Sequence, residues 1–231
     1  MLLFGKALFD GWGILDSISD YYYSASMGSV FVGGLVALAI LLISYHYARV
    51  DTLAGVAAGI CAIFVALFPT APTDATPRQV VVGTVHYVFA AAFFVILAYF
   101  ALFLFTKPVA PFAKQRASLS RILLRKPVVP LEKPPVYYLT HRKRQRNQVY
   151  VACGSTIVAC IVLLLLLRLP GVPQLVSLHP VYWLETLAIC AFGVAWIVKG
   201  EVILKDEGAQ ADLVQYTVAK LREWLHGLWH R

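Results

Sequence analysis

Three ionisable side chains interrupt or adjoin long apolar stretches of the sequence. His86 and Glu185 each lie inside an apolar block, and Asp20 lies in the polar run of residues 16–23, which precedes the first block. An imidazole and two carboxylates can act as general acid and base, or can bind a metal ion such as zinc. Because ionisable groups among apolar helices tend to be functional, we take Asp20, His86 and Glu185 as candidate catalytic residues and candidate metal ligands.

The same residues also have a purely structural interpretation. A hydrogen bond between His86 and Glu185 would lower the cost of burying both groups and would fix the packing of two helices. The three tyrosines at positions 21–23 would then form an interfacial aromatic belt. The sequence has no His-Glu-x-x-His, Gly-x-Ser-x-Gly or Walker motif, so no enzyme class is indicated and no cofactor is expected.

The elements that must position these residues are helices long enough to cross a membrane. Of the 231 residues, 60% are hydrophobic and 14% are charged, whereas a soluble domain carries about 25% charged residues. A bilayer core of about 30 Å needs about 20 apolar residues in a helix. We therefore predict an all-α transmembrane bundle of about five spans, at residues 30–48, 53–68, 80–105, 149–167 and 181–198.

This arrangement sets the depth of the candidate residues. His86 lies about two turns into the third span, and Glu185 lies just over one turn into the fifth. Both spans start from the same side of the membrane, so we expect the two side chains to lie at similar depth, where they could meet. Gly55 and Gly59 form a small-xxx-small pair, which predicts close packing of the second span on another helix. The four cysteines lie in apolar blocks and are expected to be packed thiols.

Basic residues are concentrated in one segment and predict the orientation. Residues 106–148 hold eleven Lys and Arg, one acidic residue and six prolines. Placing this segment in the cytoplasm gathers seventeen of the twenty basic residues on that side, with the N-terminus outside and the C-terminus inside. Anionic lipid headgroups are the expected partners, and no nucleic acid is expected. The residues expected to contact the headgroups are Arg142, Lys143, Arg144 and Arg146.

The remaining segments complete the predicted organisation. Residues 1–29 form an extracytoplasmic segment, residues 30–105 hold spans one to three, and residues 149–198 hold spans four and five. Residues 199–231 carry leucines and aromatic residues at helical spacing, which predicts an amphipathic helix on the membrane surface. The alternative is a cytosolic helix packed on a partner.

Several short motifs are spread over most of the chain: Ser17-Ile18-Ser19-Asp20-Tyr21-Tyr22, Val30-Phe31-Val32-Gly33, Ala66-Leu67-Phe68-Pro69-Thr70, His86-Tyr87-Val88-Phe89-Ala90-Ala91, Tyr99-Phe100-Ala101-Leu102-Phe103-Leu104-Phe105, and Trp183-Leu184-Glu185 through Lys199-Gly200-Glu201. With these motifs the chain resembles an uncharacterised family of bacterial multi-span membrane proteins. The resemblance implies a location in the bacterial cytoplasmic membrane and implies no activity.

The chain departs from that family at two places. Members carry an Arg-Asp pair before the Phe-Val-Gly motif, where this chain has Gly28-Ser29. Members also tend to have a further N-terminal span, whereas only sixteen residues precede Ser17 here. Either the chain is a shortened version that lacks the first of six spans, or its start codon is assigned too late. The Ser-Ile-Ser-Asp motif is also similar to one in a eukaryotic six-span family of autophagy modulators and a protein of GPI-anchor remodelling. That similarity favours a role connected with lipid.

The sequence therefore predicts a lipid-associated integral membrane protein with a polar pocket in the outer leaflet. One alternative is an intramembrane lipid hydrolase or transferase that uses Asp20, His86 and Glu185. Metal binding would separate this enzyme from a structural cluster. A further alternative is a small transporter, although no internal repeat or broken helix supports coupled transport.

Overall fold

A computed structural model describes residues 13–46, 48–72, 74–107, 141–169 and 178–200; only the backbone is described for His141 and Arg142. Within these ranges the chain is all-helical, so the predicted fold class is confirmed. A 3-10 helix, Ser19–Tyr23, precedes five α-helices: α1 Gly28–Ile43, α2 Arg49–Leu67, α3 Pro77–Tyr99, α4 His141–Leu166 and α5 Pro180–Lys199. The α3 helix continues as a π-helical turn, Phe100–Leu104.

Four of the helical stretches are long and apolar enough to cross a membrane: Arg49–Leu67, Pro77–Leu104, Lys143–Leu166 and Pro180–Lys199. The apolar helix α1 has 16 residues and is about 24 Å long at 1.5 Å per residue, which is less than a bilayer core of about 30 Å. The predicted first span, residues 30–48, was too long at its end, because the helix ends at Ile43. The described helices are those of a multi-pass membrane protein.

Local sequence signals explain where α3 and α5 begin. Thr76 precedes α3 and accepts a hydrogen bond from the Gln79 backbone N–H, while the Gln79 side chain accepts from the Thr76 N–H. This reciprocal capping satisfies two N–H groups that have no partner in the helix. A proline begins each helix, Pro77 in α3 and Pro180 in α5, because proline lacks only an N–H that the first turn leaves unpaired.

Helices that follow each other along the chain pack side by side, from α1 against α2 to α4 against α5. The α1 and α2 helices approach each other closely at two glycines. A Cβ atom at Gly55 would overlap the carbonyl oxygen of Leu42, and one at Gly59 would lie 2.9 Å from the carbonyl oxygen of Ala39. The close helix contact predicted from Gly55 and Gly59 is therefore confirmed.

One end of the bundle is basic; we call it the basic end. Lys107 follows the π-helical turn and forms an ion pair with Asp51 of α2, with an Nζ–Oδ1 distance of 3.1 Å. The α4 helix begins at His141, so the basic run of residues 141–146 is helical and does not belong to a loop that ends at residue 148. Charged side chains can continue a helix beyond the bilayer core, where water satisfies them.

The four basic residues expected at the lipid headgroups differ in exposure. Arg144 is exposed and Lys143 is partly exposed, and their contact with headgroups stays a prediction. Arg146 is only 6% exposed, and its contact with headgroups stays a prediction. The side chain of Arg142, the Pro-rich residues 108–140 and the predicted amphipathic tail at residues 201–231 lie outside the described residues.

Beside the basic end, aromatic rings fill the centre of the bundle. Phe100 and Phe105, at either end of the π-helical turn, pack against Phe192 and Trp196 of α5 and against Tyr45. Phe100 and Phe105 are almost fully buried. The four cysteines are free thiols; Cys61 and Cys160 are buried as expected, whereas Cys190 is exposed on α5. The end of the bundle opposite the basic end carries the candidate site.

Candidate functional site

A short turn before α1 is fixed by hydrogen bonds to itself. The Ser17 backbone N–H donates to Asp20 Oδ2 at 3.0 Å, and the Asp20 N–H donates to Ser17 Oγ at 3.1 Å. This reciprocal exchange over three residues resembles the capping box of longer helices. It sets the start of the 3-10 helix, whose first residue is Ser19.

His86 on α3 binds this turn from one side. Its Nδ1 atom lies 2.6 Å from the carbonyl oxygen of Phe68, and its Nε2 atom lies 3.0 Å from Ser19 Oγ. Because a carbonyl oxygen only accepts hydrogen bonds, Nδ1 must carry the hydrogen. In the neutral ring Nε2 is then the acceptor, and the Ser19 hydroxyl donates to it. His86 is 2% exposed and both ring nitrogens are satisfied.

Glu185 on α5 binds the same turn from another side. Its Oε2 atom accepts a hydrogen bond from the Ile18 backbone N–H at 2.8 Å. Near the start of α5, the Tyr182 N–H donates to the carbonyl oxygen of Asp16 at 3.0 Å, and His179 Nδ1 lies 2.8 Å from Asp16 Oδ1. Residue Tyr182 lies in the first turn of α5, where an N–H has no partner within the helix. The turn of residues 16–20 thus supplies a cap for α5.

His86 and Glu185, which were expected to contact each other, are therefore connected through the turn of residues 16–20. In the described part of the chain, the hydrogen bonds of His86 go to Ser19 and Phe68, and that of Glu185 goes to Ile18. Each side chain binds a different residue of this turn. The sequence placed both groups at this end of the bundle, but it did not show that residues 16–20 would lie between them.

Asp20 ties the turn to the chain that links α2 and α3. Its Oδ1 atom accepts a hydrogen bond from Thr70 Oγ1 at 3.0 Å. The Tyr23 hydroxyl donates to the carbonyl oxygen of Thr70 at 2.6 Å. We define the polar cluster as the residues Asp16, Ser17, Ser19, Asp20, Thr70, His86 and Glu185. The end of the bundle that carries them is called the cluster end.

The three tyrosines divide between core and surface. Tyr21 is fully buried, with its ring centroid 6.0 Å from that of Tyr182, whereas Tyr23 is 52% exposed. Burial, reinforced by the neighbouring Tyr182, raises the pKa of Tyr21 above its ordinary value of 10.0, so its phenol is neutral. The predicted interfacial belt fits Tyr23, but Tyr21 is a core residue that anchors the 3-10 helix.

Two glycines allow the backbone to approach closely around the cluster. A Cβ atom at Gly28 would lie 2.6 Å from the carbonyl oxygen of Tyr22, and one at Gly83 would lie 2.7 Å from the backbone nitrogen of Ala71. Glycine at these positions lets α1 begin directly after the 3-10 helix and lets α3 pack against the link that carries Thr70. The placement of Ser19 and Thr70 therefore depends on backbone contacts as well as on side chains.

The predicted metal ligands do not form a ligand set. Within the described ranges, no group of three or more His, Cys, Asp and Glu side chains could hold a metal ion. The hydrogen bonds of these side chains go instead to Thr70 from Asp20, to Ser19 from His86 and to Ile18 from Glu185.

Ser19 is the residue that sequence reasoning missed. It lies in the Ser-Ile-Ser-Asp motif, but its partner His86 is 67 residues away. The motif alone does not distinguish Ser17, which bonds within the turn, from Ser19, which bonds across to α3. The sequence offered one indication of these different roles, namely the position of the two serines on either side of Ile18.

Comparison of the chain with models of protein families, with curated proteins and with solved structures finds no match.

Proposed function

We propose that the chain is a lipid-associated, multi-pass membrane protein in which the polar cluster holds residues 16–23 against the outer-leaflet half of the bundle. The basic end then faces the cytoplasm, as the distribution of Lys and Arg favours. The proposed location is the bacterial cytoplasmic membrane, in keeping with the family that the sequence resembles.

One observation carries the proposal: the turn of residues 16–20 is hydrogen-bonded to three different parts of the bundle. Glu185 of α5 holds the Ile18 amide, His86 of α3 holds Ser19, and Thr70 holds Asp20. Moving a polar group out of water costs free energy unless the group forms hydrogen bonds in the protein. A cluster whose members satisfy one another removes this cost and selects one position of the turn.

The perimeter of the bundle supports the association with lipid. Large apolar side chains remain exposed along the spans, with Leu53 and Leu165 more than 60% exposed. At the cluster end, the guanidinium of Arg168 lies 4.6 Å from the centre of the Tyr87 ring. An arginine and a tyrosine at the end of a span are typical of the lipid–water interface, where each keeps a polar tip near headgroups.

Hydrogen exchange of the purified protein in lipid nanodiscs tests the cluster. The Ile18 amide should be protected from exchange in the native protein. Glu185→Leu removes the acceptor and should expose that amide, whereas Glu185→Gln keeps an acceptor oxygen and is the matched control. Equal exchange at Ile18 in all three proteins would contradict the proposal. Retained phospholipid, measured as phosphorus after detergent washing, tests lipid association, and its complete loss from folded protein would count against it.

For the enzyme that the sequence left as an alternative, the hydrogen bonds favour His86 over the other two candidates, Asp20 and Glu185. Asp20 and Glu185 both accept hydrogen bonds from backbone N–H groups of the turn, which suits residues that hold the turn in place. The pair with the geometry of a catalytic group is Ser19 with His86.

A further inference from the structure

Ser19 and His86 form a hydrogen-bonded pair of hydroxyl and imidazole inside the polar cluster. Ser19 Oγ lies 3.0 Å from His86 Nε2, and the opposite ring nitrogen is fixed by the Phe68 carbonyl oxygen at 2.6 Å. A serine hydroxyl beside an imidazole that a third group orients is the arrangement that activates serine as a nucleophile. Here a backbone carbonyl occupies the place that a carboxylate holds in a Ser-His-Asp triad.

We propose that Ser19 is the nucleophile and His86 its general base in an acyl-transfer site, and that the substrates are ester-linked acyl chains of membrane lipids. This inference rests on the proposed function, because it needs the cluster end to lie in a leaflet of the membrane.

The reaction has two balanced steps. Ser19 Oγ attacks the ester carbonyl carbon while His86 Nε2 takes the hydroxyl proton; the bond from carbon to the lipid alcohol oxygen then breaks, and His86 returns the proton to that oxygen. The acyl group is now an ester of Ser19. A water molecule or a second alcohol then attacks the carbonyl carbon, with His86 again taking and returning the proton, and Ser19 is released.

Burial and depth select the class of substrate. Ser19 is 8% exposed and His86 is 2% exposed, so the pair is screened from bulk water. His86 lies nine residues after Pro77, or about 14 Å along α3. The stretch Pro77–Leu104 has 28 residues and is about 42 Å long, which leaves about 6 Å beyond each side of a 30 Å core when it is centred. His86 then lies about 8 Å below the boundary where the acyl esters of lipids begin, so the pair would meet a substrate inside the leaflet.

The two carboxylates are positioning residues in this site. Asp20 fixes the turn that begins the 3-10 helix through Ser17 and Thr70, and Glu185 holds the amide next to Ser19. Neither carboxylate is hydrogen-bonded to Ser19 Oγ or to His86 in the described part of the chain. Their removal should displace Ser19 and should leave the chemistry of the imidazole unchanged.

A fluorophosphonate with a long alkyl chain tests the proposal on the full-length protein in nanodiscs. The Ser19 oxygen should displace fluoride from phosphorus, and peptide mass spectrometry should find the adduct on Ser19. His86→Gln should slow labelling by about 100-fold or more, the scale of general-base catalysis. Ser26→Ala is the matched control: the Ser26 hydroxyl is buried without a hydrogen-bond partner among the described residues, so its removal should leave labelling unchanged.

The outcomes separate this inference from the proposed function. An adduct on Ser19 that depends on His86 supports the acyl-transfer site. No adduct on Ser19, or an adduct on another residue, overturns the site when the Ile18 amide is protected in the same sample, and leaves the proposed function intact. An unprotected Ile18 amide in the native protein overturns both.

Discussion

At the scale of single residues, the cluster works by sharing one short peptide among several side chains. His86 and Glu185 were expected to neutralise each other's burial cost, yet each is satisfied by residues of the turn. The consequence is that a change at either position acts first on the placement of residues 16–20. Stability measurements at these positions therefore report on the turn as well as on the helix that carries the substituted residue.

Thr70 provides the sharpest stability test at this scale. Its hydroxyl donates to Asp20 Oδ1, and Thr70 is almost fully buried. Thr70→Val keeps the shape and removes the donor, so Asp20 loses a partner in a place with little water. We expect the free energy of unfolding to fall by about 1–3 kcal/mol. Thermal unfolding in detergent measures the change.

The control for Thr70 keeps the hydroxyl. Thr70→Ser retains the donor and should lose much less stability than Thr70→Val. If valine and serine had the same effect, the hydrogen bond to Asp20 would not contribute and the loss would come from packing alone.

At the scale of helices, the sequence predicted the spans well where the apolar block itself sets the boundary. The third span was expected at residues 80–105 and is found at Pro77–Leu104. The prediction failed where a helix begins in polar sequence. The α4 helix begins at His141, inside a run that was interpreted as a loop. Helical hydrogen bonds join backbone groups and do not require apolar side chains. The role of Ser19 was not predicted, because Ser19 is positioned by a contact with His86, which is 67 residues away in the sequence.

Gly55 tests the close contact between α1 and α2. Any Cβ atom there would overlap the carbonyl oxygen of Leu42, and backbone cannot move aside cheaply. Gly55→Ala should therefore force α1 and α2 apart and lower the thermal unfolding temperature in detergent. Gly34→Ala on α1 is the control, because no atom lies within 4 Å of its Cβ position. That change should be neutral or should stabilise by up to about 1 kcal/mol, since alanine favours helix more than glycine does. Equal behaviour of the two variants would contradict the tight contact.

At the scale of the whole molecule, charge separates the two ends of the bundle. The basic end gathers the start of α4, Lys107 and Lys199. The cluster end presents tyrosines, Asp16 and Asp74, with fewer basic residues in the described ranges, namely Arg78 and Arg168. This asymmetry predicts the direction in which the bundle inserts. In the orientation that we propose, Ser19 and His86 would lie in the leaflet that faces away from the cytoplasm.

Cysteine accessibility in intact cells tests that orientation. A membrane-impermeant maleimide should label Asp74→Cys at the cluster end and should not label Arg144→Cys at the basic end. Labelling of the second variant should appear once the cells are opened, which controls for its reactivity. The reverse pattern would place the basic end outside and would move the proposed site to the cytoplasmic leaflet.

The 16 residues of α1 also constrain the kind of bilayer that suits this protein. A spanning helix about 6 Å shorter than the bilayer core either leaves polar backbone in hydrocarbon or is met by local thinning of the bilayer. Thinning costs fractions of a kcal/mol per Å of mismatch. The 3-10 helix and Tyr22, against which Gly28 packs, lie directly before this short helix. Any hydrophobic mismatch at the N-terminus of α1 would thus lie beside Ser19, where a thinned leaflet would bring lipid headgroups and water closer to the polar cluster.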